Sequence, residues 1–211
     1  MWVILPVKSL QNAKLRLADE LSPDQRRQLG VLMLHDMLET LSASVVVAGV
    51  TVISSDPAVL DIARSYGVEC ITTAVDSGYS EDATRAITEV CRTQSGRVAV
   101  IPADLPLISH DDLNHINAIQ EDGLILCPAE TDGGTNALFF MPPLTIPLMF
   151  GLDSFSRYQQ KAKQEGVPVT SVILAGFARD IDRMEDIKWL AGQPAGGRAR
   201  EYARQLISEQ T

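Results

Sequence analysis

Much of what usually announces function in a chain of 211 residues is missing here. The three cysteines, Cys70, Cys91 and Cys127, have no C-x-x-C spacing, which excludes the common zinc and disulfide patterns and fits buried, reduced thiols. The three histidines, His35, His110 and His115, show no ligand or triad spacing and read as surface or helix-cap residues. No apolar run approaches the roughly 20 residues of a membrane span. Trp2 to Pro6 is too short for a secretory signal and lacks its basic flank, so the expectation is a cytoplasmic protein. A net charge of −9 without a basic stripe argues against nucleic acid or an anionic membrane as partner. Neither G-x-x-x-x-G-K-[ST] nor G-x-G-x-x-G follows a strand, so the phosphate cradles of P-loop enzymes and dinucleotide dehydrogenases are absent.

What is present is a regular alternation. At 45% apolar content the chain can bury one substantial core, and a single domain over residues 1–211 is expected. Runs rich in Val and Ile predict strands at Trp2–Val7, Gly49–Ser54, Val68–Thr72, Arg97–Ile101, Gly123–Pro128, Asn136–Met141 and Val169–Leu174. Between them lie helices. Ser22-Pro23-Asp24-Gln25 combines an N-cap, a first-position proline and a capping-box glutamine. Asp56-Pro57 opens a second helix that closes at Gly67, a third runs from Ser80 to Cys91, and Ser109 starts a fourth, with Asp111 and Asp112 favouring its positive end. Helical patterns follow Ser154 and span Arg198 to Ser208, where Arg198, Arg200 and Arg204 are diluted by acids and read as a solvated face. This order predicts an α/β fold with a mostly parallel central sheet and helices on both faces. Pro142 to Pro147 breaks the rhythm and predicts an insertion or an antiparallel strand. Val31 to Leu41 is apolar enough for a core helix or for part of a dimer surface, so monomer and homodimer both stand.

Four segments carry chemistry. After the first strand, Lys8, Lys14 and Arg16 place three cations in nine residues, able to neutralise a triphosphate or to form an ordinary basic loop. Asp104 follows an apolar strand in Val98-Ala99-Val100-Ile101-Pro102-Ala103-Asp104-Leu105-Pro106, at the carboxyl end where open α/β sheets bind ligands, and reads as a metal-holding position. In Asp132-Gly133-Gly134-Thr135-Asn136, paired glycines let backbone N–H groups approach an oxyanion and Thr135 and Asn136 can donate to it, although Asp-Gly also makes a plain hairpin turn. Gly151 and Ser154 precede a helix whose first-turn N–H groups, with the Ser154 hydroxyl, would seat a phosphate; simple N-capping accounts for Ser154 as well. Asp180 and Asp182, two apart in an extended segment, face one way, and one of them could join Asp104 around magnesium.

Taken in order, PVKxLxxAKxRL, PADLP, DGGTNAL, FGxxSF and DIDxxED, from Ile4 to about Leu190, resemble the CofC/FbiD guanylyltransferase family of deazaflavin coenzyme F-420 biosynthesis. The resemblance implies a Rossmann-like nucleotidyltransferase fold and transfer of GMP from GTP to the phosphate of a three-carbon phospho-acid, with release of pyrophosphate. It implies Lys14 and Arg16 at the triphosphate with Lys8 beside them, Asp104 and Asp182 on Mg2+, and Thr135, Asn136, Gly151 and Ser154 at the phospho-acid. It also implies a downstream transferase that takes the guanylylated product. Such chemistry needs alignment and charge neutralisation and no protein nucleophile, because a phosphate monoester is itself nucleophilic at neutral pH.

Two departures stand out. Many relatives carry Leu-Asn-x-Ala before the helix that here begins Gly78-Tyr79-Ser80-Glu81-Asp82-Ala83, where base or acceptor contacts are expected, and they often have Ser where Leu15 stands. The acceptor is 2-phospho-L-lactate, phosphoenolpyruvate or 3-phospho-D-glycerate, and the sequence does not choose among them. A molybdopterin- or sugar-phosphate-type nucleotidyltransferase is an alternative, set back by the missing glycine-rich loop after the first strand. A non-catalytic nucleotide sensor on the same fold is another; the presence of both Asp104 and Asp182 speaks against it.

Overall fold

The computed structural model describes residues 1–73 and 78–209. Its centre is a seven-stranded sheet in the order β3-β2-β1-β4-β6-β5-β7. The strands are β1 (Trp2–Pro6), β2 (Gly49–Ser54), β3 (Glu69–Thr72), β4 (Val98–Val100), β5 (Leu124–Pro128), β6 (Thr135–Phe140) and β7 (Val169–Ser171). All neighbours pair in parallel except β6, which runs antiparallel to both β4 and β5. The helices are α1 (Pro23–Ala43), α2 (Pro57–Ser65), α3 (Tyr79–Val90), α4 (His110–Ala118), α5 (Ser154–Glu165), α6 (Ala175–Ala178), α7 (Met184–Ala191) and α8 (Arg198–Glu209).

Period-two alternation explains why the central strands read as unbroken apolar runs. In β1, Val3 and Leu5 enter a core with α1 and α2, while Ile4 enters the opposite core with Ala83 and Ala86 of α3. The same division holds in β6, where Ala137 and Phe139 face one way and Leu138 and Phe140 the other, toward Tyr158 of α5. A third cluster joins Leu29 and Met33 of α1 to Ile187 and Leu190 of α7 and Ala203 and Leu206 of α8. Much of the apolar surface of Val31 to Leu41 is therefore consumed within the fold. Among the described residues, no helix is long and apolar enough to cross a membrane.

Local signals fix most helix starts. Ser22 and Gln25 form a capping box at α1, Ser109 and Asp112 another at α4, and Asp56 accepts from the Ala58 N–H at α2. The cap of α8 is tertiary: the Asp36 carboxylate of α1 accepts from the Arg198 and Ala199 N–H groups at 2.9 and 2.8 Å. A Cβ on Gly197 would lie 2.3 Å from Asp36 Oδ1, so only glycine permits this approach.

Residues 142–147 hold no strand; the antiparallel strand is β6, immediately before them. Residues 142–147 are irregular, because their prolines cannot donate to a ladder, and they bury Ile146 against the α3 and α5 side. The first and last strands end earlier than expected, at Pro6 and Ser171. Helices α6 and α7 were not expected; each is short, and α7 is held by the buried Asp186 carboxylate, which accepts from the Arg183 N–H at 2.7 Å. The α8 arginines are tied down locally, Arg198 to Glu39 and Arg200 to Glu201, while Arg204 donates to the Ala191 carbonyl. All three cysteines are free, and burial raises the pKa of each thiol. His35 Nδ1 lies 2.9 Å from the Tyr66 hydroxyl and His110 Nε2 3.1 Å from the Thr40 carbonyl, both away from the cleft described next.

Candidate active site

The chain steps from β1 outward to β2 and β3, then returns across β1 to β4. This places a topological switch between the carboxyl ends of β1 and β4, where open α/β sheets leave a crevice. A cleft of about 870 Å³ opens there.

One wall is charged. Two 3-10 turns, Leu10–Asn12 and Leu15–Leu17, flank Lys14, whose left-handed backbone (φ 52°) turns its side chain inward. Asp56 anchors this loop, accepting from the Leu10 N–H at 2.8 Å and the Ser9 hydroxyl at 3.1 Å. Lys14 Nζ lies 2.7 Å from Asp104 Oδ2 and 2.8 Å from Asp182 Oδ1, and Arg16 reaches Asp182 Oδ2 at 2.7 Å. Ile181, fully buried between Asp180 and Asp182, donates its N–H to the Asp104 carbonyl at 3.1 Å. That bond brings the late acidic segment to the end of β4. Asp186 holds the same segment in place, accepting from Asp182 N at 3.0 Å and Arg179 Nε at 2.8 Å. Sequence reading missed Asp186; its position three residues beyond Arg183, at the third turn position of a helix, was the available signal.

The electrostatics follow from the crowding. Burial alone would lower the Lys14 pKa, but Asp104 and Asp182 more than reverse that and raise it, so the ammonium stays protonated. Burial opposes ionisation of Asp182, yet Lys14 and Arg16 hold its carboxyl below the usual carboxylate range. Asp180 has no such help: burial, then the charges of Asp104 and Asp182, push it up to about 6. Carboxylate oxygens of Asp104, Asp180 and Asp182 come within 4.8 Å of one another. Asp104 Oδ1 is buried with no hydrogen-bond partner among the described residues. Hard oxygen donors with one orphaned buried atom suit Mg2+, and Asp180 joins the pair Asp104 and Asp182 as a third candidate ligand.

The second wall comes from the β5–β6 hairpin and the start of α5. Asp132-Gly133 does form the turn: Gly133 has φ 67°, and Asp132 Oδ1 accepts from Gly134 N at 2.8 Å. A Cβ on Gly134 would meet that carboxylate at 2.6 Å. The turn also lines the cleft, together with Thr135, Asn136 and Gly151. Asn136 is buried and already donates through Nδ2 to the Phe177 carbonyl at 2.9 Å. Ser154 requires a correction. It is the first residue of α5 and not its cap, which is Asp153; it is fully buried, and its hydroxyl donates to Thr135 Oγ1 at 3.1 Å beneath the cleft wall. The Ser154 and Phe155 N–H groups are spent on the Gly151 and Gly133 carbonyls. Ser154 thus backs Thr135 from beneath the cleft wall.

A third wall is formed by Gly78 to Glu81, with Phe150 beside it. Lys8 stands exposed at the rim.

Comparison with known proteins decides the class. Residues 1–209 match the family described as guanylyl transferase CofC-like. The chain belongs to the CofC-like guanylyltransferase family. A phosphoenolpyruvate guanylyltransferase of Roseiflexus castenholzii is 37% identical over 98% of this chain and 95% of its own length. A 2-phospho-L-lactate guanylyltransferase of Methanothermobacter thermautotrophicus is 32% identical over 96% and 89%. Among solved structures, a nucleotide-diphospho-sugar transferase-type protein from Desulfovibrio desulfuricans superposes with a TM-score of 0.79 at 16% identity, covering 99% of this chain and 96% of that one. CMP:2-keto-3-deoxy-manno-octonic acid synthetase superposes at 0.58 and 12%, covering 99% and 98%. At such identities these neighbours establish the fold, a Rossmann-like nucleotidyltransferase, which the CofC-like sequence motifs had implied.

Proposed function

We propose that this CofC-like chain moves GMP from GTP onto the phosphate of a three-carbon phospho-acid, within F-420 biosynthesis. The observation that carries this reading is the chain of contacts Asp104–Lys14–Asp182–Arg16, which sets a largely buried lysine, an exposed arginine and metal-type carboxylates at the switch point of a nucleotidyltransferase sheet.

In the reaction, a phosphate oxygen of the acceptor forms a bond to the α-phosphorus of GTP while the bond from that phosphorus to the β-phosphate bridging oxygen breaks, and pyrophosphate leaves with the electron pair. Lys14 stays protonated and offers its charge to the triphosphate; Arg16, held on one side by Asp182 and 61% exposed, offers a planar fork to the same group. Lys8 adds positive charge at the rim. Asp104 and Asp182, with Asp180, would hold Mg2+, which supplies neutralisation of phosphate charge in the in-line displacement. Thr135, backed by Ser154, and the Asn136 and Gly151 edge of the cleft orient the acceptor. No side chain need act as nucleophile or base. The product, a guanylylated phospho-acid, calls for a downstream transferase that consumes it.

The test is pyrophosphate release with GTP and magnesium, offering phosphoenolpyruvate, 2-phospho-L-lactate and 3-phospho-D-glycerate separately, with ATP and CTP as controls. Release with GTP and one acid supports the reading and names the acceptor. Silence with all three acids despite GTP binding overturns it and leaves the nucleotide-sensor alternative.

A further inference from the structure

We propose that the Tyr79 hydroxyl is a hydrogen-bond donor to the phospho-acid acceptor and so a specificity-determining residue of this cleft. The inference rests on the function proposed above and deepens it.

Tyr79 is the first residue of α3, following Gly78 at φ 119°, a backbone conformation open to glycine that swings the chain into the cleft. Its ring stands edge-on to Phe150 with centroids 4.8 Å apart, and Phe150 stands edge-on to Tyr158 at 5.9 Å. The two tyrosines of this stack differ in one respect. The Tyr158 hydroxyl accepts from the Met149 N–H at 2.8 Å, whereas the equally buried Tyr79 hydroxyl has no partner among the described residues. A buried hydroxyl left unpaired costs stability that phenylalanine would not lose, so its presence asks for a ligand.

The direction of that ligand is given by a second orphan. Asp104 Oδ1 is also buried and unpartnered, and the charge of Asp104 acts on Tyr79. The two make no hydrogen bond with each other, and both residues line the cleft. Burial, followed by the charge of Asp104, raises the phenol pKa well above its usual value, which keeps the group a donor and fits it to an anion's oxygen. Tyr79 packs on Phe150 and lines the cleft together with Thr135, Asn136 and Gly151, the acceptor candidates. The ring surfaces of Tyr79 and Phe150 suit the methylene or methyl carbon of a three-carbon acid.

The experiment compares wild type with Tyr79→Phe, reading the KM for each phospho-acid, the KM for GTP, and the melting temperature of the free protein. Loss of a hydrogen bond to a charged oxygen predicts an acceptor KM raised about ten- to a hundredfold. The GTP KM stays within about twofold, and the melting temperature is equal or higher because an unpaired hydroxyl has gone. An unchanged acceptor KM, or a rise confined to GTP, overturns the assignment while leaving the guanylyltransferase reading intact. A wild-type protein silent with every acid overturns both.

Discussion

The charged wall of the cleft and the hairpin wall facing it are built on opposite plans. On the charged wall, partners are distant in sequence: Lys14 meets Asp104 across 90 positions and Asp182 across 168. Lys14 and Arg16 are paired with Asp104 and Asp182, so substrate must exchange for contacts that already exist, while Asp104 Oδ1 stays unpartnered among the described residues; removing Lys14 leaves the Asp104 carboxylate without its cation. On the hairpin wall, partners are close. Ser154 meets Thr135 across 19 positions, and the helix-start N–H groups close onto neighbouring carbonyls. That wall is a finished scaffold that offers few free groups, which is why the orphaned Tyr79 hydroxyl beside it matters.

This contrast can be broken most severely at Asp104. Asp104→Asn keeps a neutral acceptor for Lys14 but weakens the metal-holding set, and magnesium-dependent pyrophosphate release is expected to fall by roughly a thousandfold while far-UV circular dichroism stays unchanged. Full activity in the variant would remove Asp104 from the mechanism.

Lys14 and Arg16 separate structure from binding within the charged wall. Lys14→Met leaves Asp104 without its cation and Asp182 with Arg16 alone, and is expected to cost roughly 2–4 kcal/mol in denaturant unfolding, a range discounted because the carboxylates are partly exposed. Arg16→Ala, at an exposed pair, is expected to cost under about 1 kcal/mol and to raise the GTP KM instead. The lowered Asp182 pKa gives a further readout. Its contribution to stability is complete above the ordinary carboxylate value of about 3.9 and is lost as pH falls through the folded value, so Lys14→Met should flatten that acid limb. Equal stability losses in the two variants would contradict the asymmetry.

The smallest effect is expected on the hairpin wall. Ser154→Ala removes one buried hydroxyl pair and should cost about 1 kcal/mol. Because the hydroxyl reaches the cleft only through Thr135, the acceptor KM should rise by no more than about fivefold. A rise as large as that expected for Tyr79→Phe would mean that Ser154 meets the acceptor directly.

The central strands β1, β2, β4, β5 and β6 were legible because they are buried on both faces and spell apolar runs, and the partly exposed edge strands β3 and β7 from the Val and Ile in and beside them; most caps were legible because Ser22, Asp56 and Ser109 cap their own helices. Helices α6 and α7 were not. Four and eight residues carry too little periodicity, and α7 depends on Asp186 bonding the chain around Asp182. At the site, Asp104 and the same-side placement of Asp180 and Asp182 followed from strand-end logic and residue spacing. The orientation of Ser154 did not, because an N-cap and a first-turn residue look alike in sequence until the left-handed turn at Asp153 shifts the helix start by one.

By itself, then, the sequence determined what local patterns encode: element types, the sheet's alternation, and the motifs that mark a CofC-like protein. Tertiary structure decided which charges neutralise one another, that Asp36 caps a helix 162 residues away, and which buried polar atoms are left for a ligand. The physical reason is range. Propensity and periodicity act over a few residues, whereas ion pairing and desolvation depend on distances that exist only after the sheet has brought β1, β4 and the late acidic loop together.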